Sequence, residues 1–374
     1  MNYGLDQIHG FQINISFITM NIKLILKFLK HHQDYINQET YYPEKQRKSK
    51  YEIFKDFLCH IVRHGEIDKY YFPYGLDVKG TNPEDYISYN EFMLIRDNFN
   101  GFNMKGSAKV NYACLIRDKN LFEIMARQLS IPTVFTLGSY SKGMITGKDF
   151  VIPLKDFINE NPRLFFKPVD SFKGYHTFAL EKIKDKYYLN DVICNFETII
   201  SKLNEPGIDL MVQPKLTQHS EMNRLYDKSI NTLRIVTILK EHEPYLIGMF
   251  LRLGGHGSVV DNMSAGGLGV GINEDGTLKK YGFLHNKYGT KTTKHPDTGI
   301  EFSSFKIPYF NEAIELVKET HKKLYYVPAV GWDVCITEDG PIIIEGNDNF
   351  GGIGLQTICG GKAKVFRHFF LNKN

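Results

Sequence analysis

The segment that most constrains the fold runs from Gly331-Trp332-Asp333 to Ile342-Ile343-Ile344-Glu345-Gly346-Asn347. Two apolar runs on either side of the turn Glu338-Asp339-Gly340 predict a β-hairpin. Glu345 and Asn347 are two residues apart on an extended chain, so their side chains point to the same face. Two carboxylates and an amide oxygen brought together across a hairpin suit Mg²⁺ bound with nucleotide phosphates. An acidic solvated face is the alternative, but the three apolar residues before Glu345 indicate a buried strand end.

A lysine lies inside an apolar strand at Phe165-Phe166-Lys167-Pro168. Burying an ammonium group is costly unless it meets an anion, and a phosphate of ATP would serve. A lysine that protects an edge strand from aggregation would give the same pattern. The polar turn that follows contains Lys173 and Gly174, which could close over phosphates or simply join two strands. The sequence lacks the glycine motifs of Walker-type and dinucleotide-binding sites.

Two arginines interrupt apolar strands further along the chain. Strand alternation places Arg234 on the face opposite Leu233 and Ile235, and it places Arg252 opposite its own apolar neighbours. Such arginines suit a surface for phosphate or carboxylate groups, although structural salt bridges are an equal alternative. The glycines of Gly254–Gly271, a predicted loop that includes Asn262, would allow close approach to a ligand or merely turn the chain.

Length and composition indicate an ordinary globular protein. The 374 residues suffice for two or three domains, and 42% hydrophobic and 24% charged residues are usual values. A net charge of +4, spread along the chain, argues against a nucleic-acid partner. The five cysteines form no ligand spacing, which favours reduced thiols in the cytoplasm. Polar residues interrupt the apolar stretch Phe11–Lys30, so we expect that it does not span a bilayer and that the chain has no integral membrane insertion.

The predicted elements define an α+β fold with antiparallel sheets. A helix from Asp118 to Ser130 should bury the stripe Leu121, Ile124, Met125 and Leu129. The aromatic run Tyr70–Tyr74 suits core packing better than sugar stacking. The last segment, Gly346–Gly361, is predicted as a glycine-rich loop. The remaining predicted elements are a helix over Ile53–His64, strands Leu164–Val169, Thr177–Leu180 and Leu210–Gln213, the pair Asn231–Lys240 and Tyr245–Leu253, a helix over Asn311–Leu324, and the hairpin strands Gly331–Thr337 and Pro341–Gly346.

Taken in order, these motifs resemble the sugar-transfer-associated ATP-grasp family over about Tyr70 to Gly361. The most specific part is Asp333 with Glu345-Gly346-Asn347. The other parts of the resemblance are Asp118-Lys119, Phe166-Lys167-Pro168, Lys173-Gly174, Leu210–Pro214, Asn231-Thr232-Leu233-Arg234, and Asp261-Asn262 with Gly266-Gly267.

The resemblance implies an ATP-grasp fold, in which two α+β subdomains grip ATP. They would cover 112–215 and 216–374, after a mostly helical region 1–111. By position, Lys119 and Lys167 would hold the α and β phosphates, and Lys173 and Gly174 would lie in the phosphate loop. Arg234 and Arg252 would face the γ-phosphate. The other assignments are Met211, Val212, Gln213 and Lys215 in the adenine hinge, Asn262 at the nucleotide, and Asp333, Glu345 and Asn347 as ligands of Mg²⁺.

Two features depart from the family pattern. The phosphate loop has a single glycine where many ATP-grasp enzymes have several. The hinge has no evident acidic residue for the ribose hydroxyls, and Glu221 is the nearest candidate. Both departures concern how the nucleotide is held.

The activity that the resemblance implies is ATP-dependent ligation of a carboxylate to an amine through an acyl-phosphate. Surface-polysaccharide biosynthesis is the implied setting, with a sugar or other small-molecule acid and an amine or amino acid as substrates. The alternatives are phosphoryl transfer or peptide ligation by the same fold, and a nucleotide-binding scaffold without turnover. Assembly into a homodimer is a further possibility, because homodimers are common among soluble proteins.

Overall fold

The computed structural model describes residues 15–101, 111–169, 176–284 and 290–370. Helices and antiparallel sheets both occur, so the predicted α+β class is confirmed. The chain divides into two compact units. The first takes in Met1–Ile95 and Gly360–His368, and the second takes in Arg96–Cys359 and Phe369–Asn374.

The first unit is helical. Its core contains the aromatic run near Tyr70, because Tyr71, Phe72 and Tyr74 are all buried, which confirms the core interpretation. The second helix of this unit begins at a capping box formed by Ser49 and Glu52. The helices that lie wholly or partly in this unit are α1 (Ile15–Ile36), α2 (Lys50–His64), α3 (Tyr89–Phe99) and, after the second unit in the sequence, α11 (Ala363–Phe370).

The second unit contains an eight-stranded antiparallel sheet in the order β3-β2-β1-β8-β4-β5-β6-β7. Two helices, α6 and α7, share a hydrophobic core with it. The strands are β1 (Gly138–Ser141), β2 (Met144–Thr146), β3 (Val151–Pro153), β4 (Arg163–Pro168), β5 (Phe178–Ile183), β6 (Lys186–Leu189), β7 (Val192–Cys194) and β8 (Leu210–Pro214), and the helices are α6 (Leu154–Glu160) and α7 (Phe196–Asn204).

A seven-stranded antiparallel sheet, β13-β12-β11-β10-β9-β14-β15, forms the rest of this unit's β-structure. One face packs into a core with α5 and α9, while the other carries the polar residues of the predicted site. The strands are β9 (Thr232–Lys240), β10 (Glu243–Leu253), β11 (Leu268–Ile272), β12 (Leu278–Leu284), β13 (Lys291–Thr292), β14 (Ala329–Thr337) and β15 (Gly340–Asn347), and the helices are α4 (Cys114–Arg117), α5 (Lys119–Gln128), α8 (Ser220–Leu225), α9 (Phe310–Lys323) and α10 (Gly352–Cys359).

The buried stripe of α5 differs from the prediction. Phe122 and Ala126 are buried in the core, whereas Leu121 is 39% exposed and Ile124 is 62% exposed. Met125 and Leu129 pack against the same core, as expected. The prediction selected aliphatic residues and passed over Phe122 and Ala126, so the buried stripe is turned by about one residue from the predicted one.

Two predicted loops contain regular structure. The glycine-rich segment after β15 includes the helix α10, and the loop predicted over Gly254–Gly271 ends in the strand β11. Helix α10 packs against two glycines of the sheet, Gly248 on β10 and Gly269 on β11. A Cβ at Gly248 would lie 2.6 Å from the Leu355 side chain, and a Cβ at Gly269 would lie 2.3 Å from the Ile358 side chain. The sheet therefore leaves room for α10, and packing overrides the low helix propensity of its glycines.

Candidate nucleotide and metal site

The hairpin β14–β15 brings Asp333, Glu345 and Asn347 together. Asp333 and Glu345 are direct cross-strand partners in the antiparallel register. The Asn347 side-chain amide donates to Asp333 Oδ2 at 3.3 Å and to Glu345 Oε1 at 3.2 Å. The three residues predicted as metal ligands thus share one face, although their role in binding a metal stays a prediction.

Both predicted arginines converge on Asp333. Arg234, its cross-strand neighbour on β9, donates from Nε to Oδ1 at 2.6 Å and from Nη2 to Oδ2 at 2.9 Å. Arg252, on β10, donates to Asp333 Oδ2 at 3.1 Å and to Asp261 Oδ1 at 2.6 Å. The salt-bridge alternative considered from the sequence is therefore present. It does not exclude ligand binding, because each guanidinium has further donors.

The charges on this face are strongly coupled. Burial by itself would raise the pKa of Asp333, but Arg234 and Arg252 outweigh burial and lower this pKa to about 2. Burial and the neighbouring Asp333 raise the pKa of Glu345, despite the opposing effects of Asn347 and Lys167. Asp333 therefore stays ionised, while the charge on Glu345 is disfavoured. A divalent cation would favour the ionised form of Glu345, because it would offset the repulsion between the two carboxylates.

The donor atoms on this face fit Mg²⁺. Carboxylate and amide oxygens are hard ligands, and Mg²⁺ usually takes one or two carboxylates together with substrate phosphates. Within the part of the chain that the structure describes, no group of three or more His, Cys, Asp or Glu side chains is placed to hold a metal. The site offers two carboxylates and one amide, which suits a cation whose remaining ligands come from a nucleotide.

Lys167 lies close to Glu345 and to Lys119. Burial of Lys167 within β4 lowers its pKa to about 8; nearby Glu345 opposes this effect, and Lys119 adds to it. Lys119, the first residue of α5, donates from Nζ to the carbonyl oxygen of Val169 at 2.9 Å. Two neighbouring ammonium groups beside a half-buried carboxylate form a setting in which a polyanion would be favourable.

The predicted hinge residues lie in and just after the central strand β8. β8 pairs with β1 on one side and β4 on the other, so the backbone of Met211, Val212 and Gln213 takes part in the sheet. The Gln213 side chain donates to Val134 O at 3.0 Å, and Lys215 Nζ donates to Glu181 Oε1 at 2.5 Å. Contact of these residues with adenine stays a prediction.

The remaining candidates are Asn262, Glu221, Lys173 and Gly174. Asn262 directly follows Asp261, the residue that pairs with Arg252. The carbonyl oxygen of Asn262 accepts a hydrogen bond from Gly267 N at 3.1 Å. The Glu221 side chain is paired with Arg224 on the exposed surface of α8. Lys173 and Gly174 lie outside the described residues.

Sequence reasoning missed the side chains that fix the chain after Asn347. Arg96 donates to the carbonyl oxygens of Asn349 at 2.6 Å and Phe350 at 2.7 Å. Asn100 donates to Asp348 O at 2.7 Å, and Arg117 pairs with the Asp348 carboxylate at 2.5 Å. The signal available in the sequence was the polar segment that continues past Asn347. Its partners lie more than 230 positions earlier.

Comparison with known proteins then decides the family. A family model described as sugar-transfer associated ATP-grasp matches residues 102–368, which is more than half of the chain. The chain belongs to the sugar-transfer-associated ATP-grasp family. The ATP-grasp fold expected from the motifs is thus confirmed for this member. No curated protein matches the sequence.

Solved structures resemble this family member only distantly. The D-alanyl-alanine synthetase A of Vibrio cholerae has 10% identity and a TM-score of 0.39, with 69% of this chain and 62% of that chain covered. An L-amino acid ligase from Bacillus licheniformis has 10% identity and a TM-score of 0.39, with coverages of 71% and 50%. A biotin carboxylase from Campylobacter jejuni has 9% identity and a TM-score of 0.41, with coverages of 68% and 46%. The chain spans less than two thirds of the length of each of these structures.

Proposed function

We propose that this family member is an ATP-dependent carboxylate–amine ligase that binds MgATP on the face formed by Arg234, Arg252, Asp333 and Glu345. The observation that carries the proposal is the direct cross-strand pairing of the buried Asp333 with the half-buried Glu345. Two arginines pair with Asp333, and the half-buried Lys167 lies near Glu345. In this proposal the segments 112–215 and 216–374 are the two gripping subdomains.

In this proposal, different residues of this face bind the Mg²⁺ ion and the individual phosphates of MgATP. Asp333, Glu345 and Asn347 would hold Mg²⁺, which supplies charge neutralisation at the phosphates when bound. Lys119 and Lys167 would contact the α and β phosphates, and the backbone of Met211–Lys215 would lie at the adenine. Arg234 and Arg252 keep Asp333 ionised and have remaining donors for the transferred phosphoryl group.

The proposed reaction has two steps. A carboxylate oxygen of the acid attacks the γ-phosphorus, the bond to the leaving ADP breaks, and an acyl-phosphate forms. An amine then attacks the acyl carbon, loses a proton, and displaces phosphate to give an amide. Donors positioned on the phosphoryl and acyl oxygens would stabilise the charge that develops in both steps.

The substrate class rests on the family description. Because this family is associated with sugar transfer, we propose a sugar acid as the carboxylate, an amino acid or other amine as its partner, and surface-polysaccharide biosynthesis in the cytoplasm as the setting. A phosphoryl-transfer enzyme would need no amine and would leave the phosphate on its acceptor.

Isotope transfer tests the reaction directly. The purified protein is incubated with MgATP, an amine panel and sugar acids labelled with ¹⁸O in the carboxylate. We expect ADP, an amide and free phosphate that carries one ¹⁸O atom, because the acyl-phosphate gives up a carboxylate oxygen. Glu345→Gln should abolish the transfer, and Asp339→Asn, at the exposed turn of the same hairpin, should retain it. ADP without amide, with phosphate bound to the acceptor, would contradict the ligase proposal.

A further inference from the structure

Helix α1 in the first unit carries an exposed apolar stripe. Ile22, Leu26 and Leu29 are 52%, 60% and 43% exposed, respectively. With about 100° of rotation per residue, these three positions fall within an arc of about 60°. Val62 of α2 is 55% exposed, and its carbonyl oxygen accepts from the Asn21 side chain at 3.5 Å, so its backbone lies beside α1. Exposed apolar stripes of this kind mark interaction sites.

A basic stripe runs beside the apolar one. Lys23, Lys27 and Lys30 are all exposed, and they lie about 100° further round the helix. The helix sequence has no acidic residue before Asp34. The two stripes lie before the non-helical residue His31, so they share one regular stretch of helix.

A third face of α1 explains why these stripes are not needed for the core. Phe28 is fully buried and stacks on Phe57 of α2 at 5.4 Å between ring centroids, and it also contacts Phe54 at 5.3 Å. Asn21 and Ile36 are buried as well. The packing of α1 against α2 therefore uses one side of the helix and leaves the apolar and basic stripes exposed.

We infer that α1 docks this protein onto an anionic membrane surface. The apolar stripe would enter the boundary between headgroups and acyl chains, while the lysine stripe would contact anionic headgroups. Charge complementarity selects this occupant, because the stripe beside the apolar one consists of the three exposed lysines Lys23, Lys27 and Lys30. Helix α1 would lie in the interface, since no helix within the described residues is long and apolar enough to cross a bilayer.

Vesicle flotation tests the docking surface without any need for turnover, so its outcome is independent of the proposed ligase activity. The chain of 374 residues is mixed with phosphatidylcholine vesicles, or with vesicles that also contain about 30 mol% phosphatidylglycerol to give a negative surface potential. We expect binding to the anionic vesicles that weakens as salt is raised. The charge reversal K23E/K27E/K30E and the variant I22Q/L26Q should each reduce binding by about tenfold or more.

Matched controls change the same charges or apolar groups elsewhere. K148E/K155E/K186E alters three exposed lysines of the second unit, and V192Q/I193Q alters two exposed apolar residues of β7. Both controls should bind anionic vesicles as the wild type does. No binding to anionic vesicles, or equal losses in the controls, would overturn the inference. Self-association that I22Q/L26Q abolishes, without vesicle binding, would also overturn it and assign the stripe to a second copy of the chain.

Discussion

At the scale of single residues, the environment of Asp333 determines the character of the site. Its carboxylate is almost fully buried and receives hydrogen bonds from Arg234, Arg252 and Asn347. These contacts lower its pKa despite burial, so the carboxylate stays ionised at neutral pH. Breaking a buried ion pair from one side leaves an uncompensated charge, whereas an exposed pair contributes little to stability.

Replacing Arg234 should therefore destabilise the fold. We expect Arg234→Met to lower the free energy of unfolding by about 3 kcal/mol, because Asp333 would lose its bidentate partner inside the protein. Arg224→Met removes an arginine from the exposed pair with Glu221 and should cost less than about 1 kcal/mol. Urea denaturation of both variants measures the difference. Equal, small losses would show that the Asp333 environment is more solvated than described.

The sequence could predict which polar residues meet at this site, but only where short-range rules apply. Strand alternation places Arg234 and Arg252 opposite apolar neighbours, and the hairpin turn brings Asp333 to Glu345. The partners of the following segment could not be predicted, because Arg96 and Arg117 lie more than 230 positions before it in the sequence. Local periodicity carries no information on such distant pairs.

At the scale of elements, two glycines in the seven-stranded sheet allow a helix to pack closely against it. Gly248 and Gly269 leave space for α10 against the sheet. The glycines within the sequence of α10 had led to the prediction of a loop there. The predicted strands were located well by contrast, because β-branched and aromatic residues mark them directly. What sequence patterns leave out is the shape of the surface against which an element packs.

Gly267 offers a sharp test at this scale. A Cβ at this position would lie 2.7 Å from the carbonyl oxygens of Asp261 and Leu253 and 2.9 Å from that of Asn262. Because backbone atoms cannot rotate away, we expect Gly267→Ala to lower the free energy of unfolding by about 1–3 kcal/mol. Gly351→Ala, where a Cβ would meet nothing within 4 Å, is the control and should change stability by less than about 0.5 kcal/mol. Thermal or urea unfolding of the pair would contradict the account if the two variants behaved alike.

At the scale of the whole molecule, two antiparallel sheets and a helical unit are combined in one chain. The seven-stranded sheet carries the acidic and arginine residues, and β4 of the eight-stranded sheet carries Lys167. Glu345 raises the pKa of Lys167 against the larger lowering by burial, so charges on the two sheets are electrostatically coupled. MgATP bound at these residues would therefore stabilise the folded second unit, because a ligand of the folded state alone shifts the unfolding equilibrium.

The most direct measurement is thermal unfolding with and without saturating MgATP, for the wild type, Glu345→Gln and Asp339→Asn. Since burial and Asp333 already disfavour the charge on Glu345, the glutamine variant should be at least as stable as the wild type without ligand. We predict that MgATP raises the Tm of the wild type and of Asp339→Asn, and that Glu345→Gln loses this increase. No increase for the wild type, or an equal increase for Glu345→Gln, would contradict MgATP binding at this face.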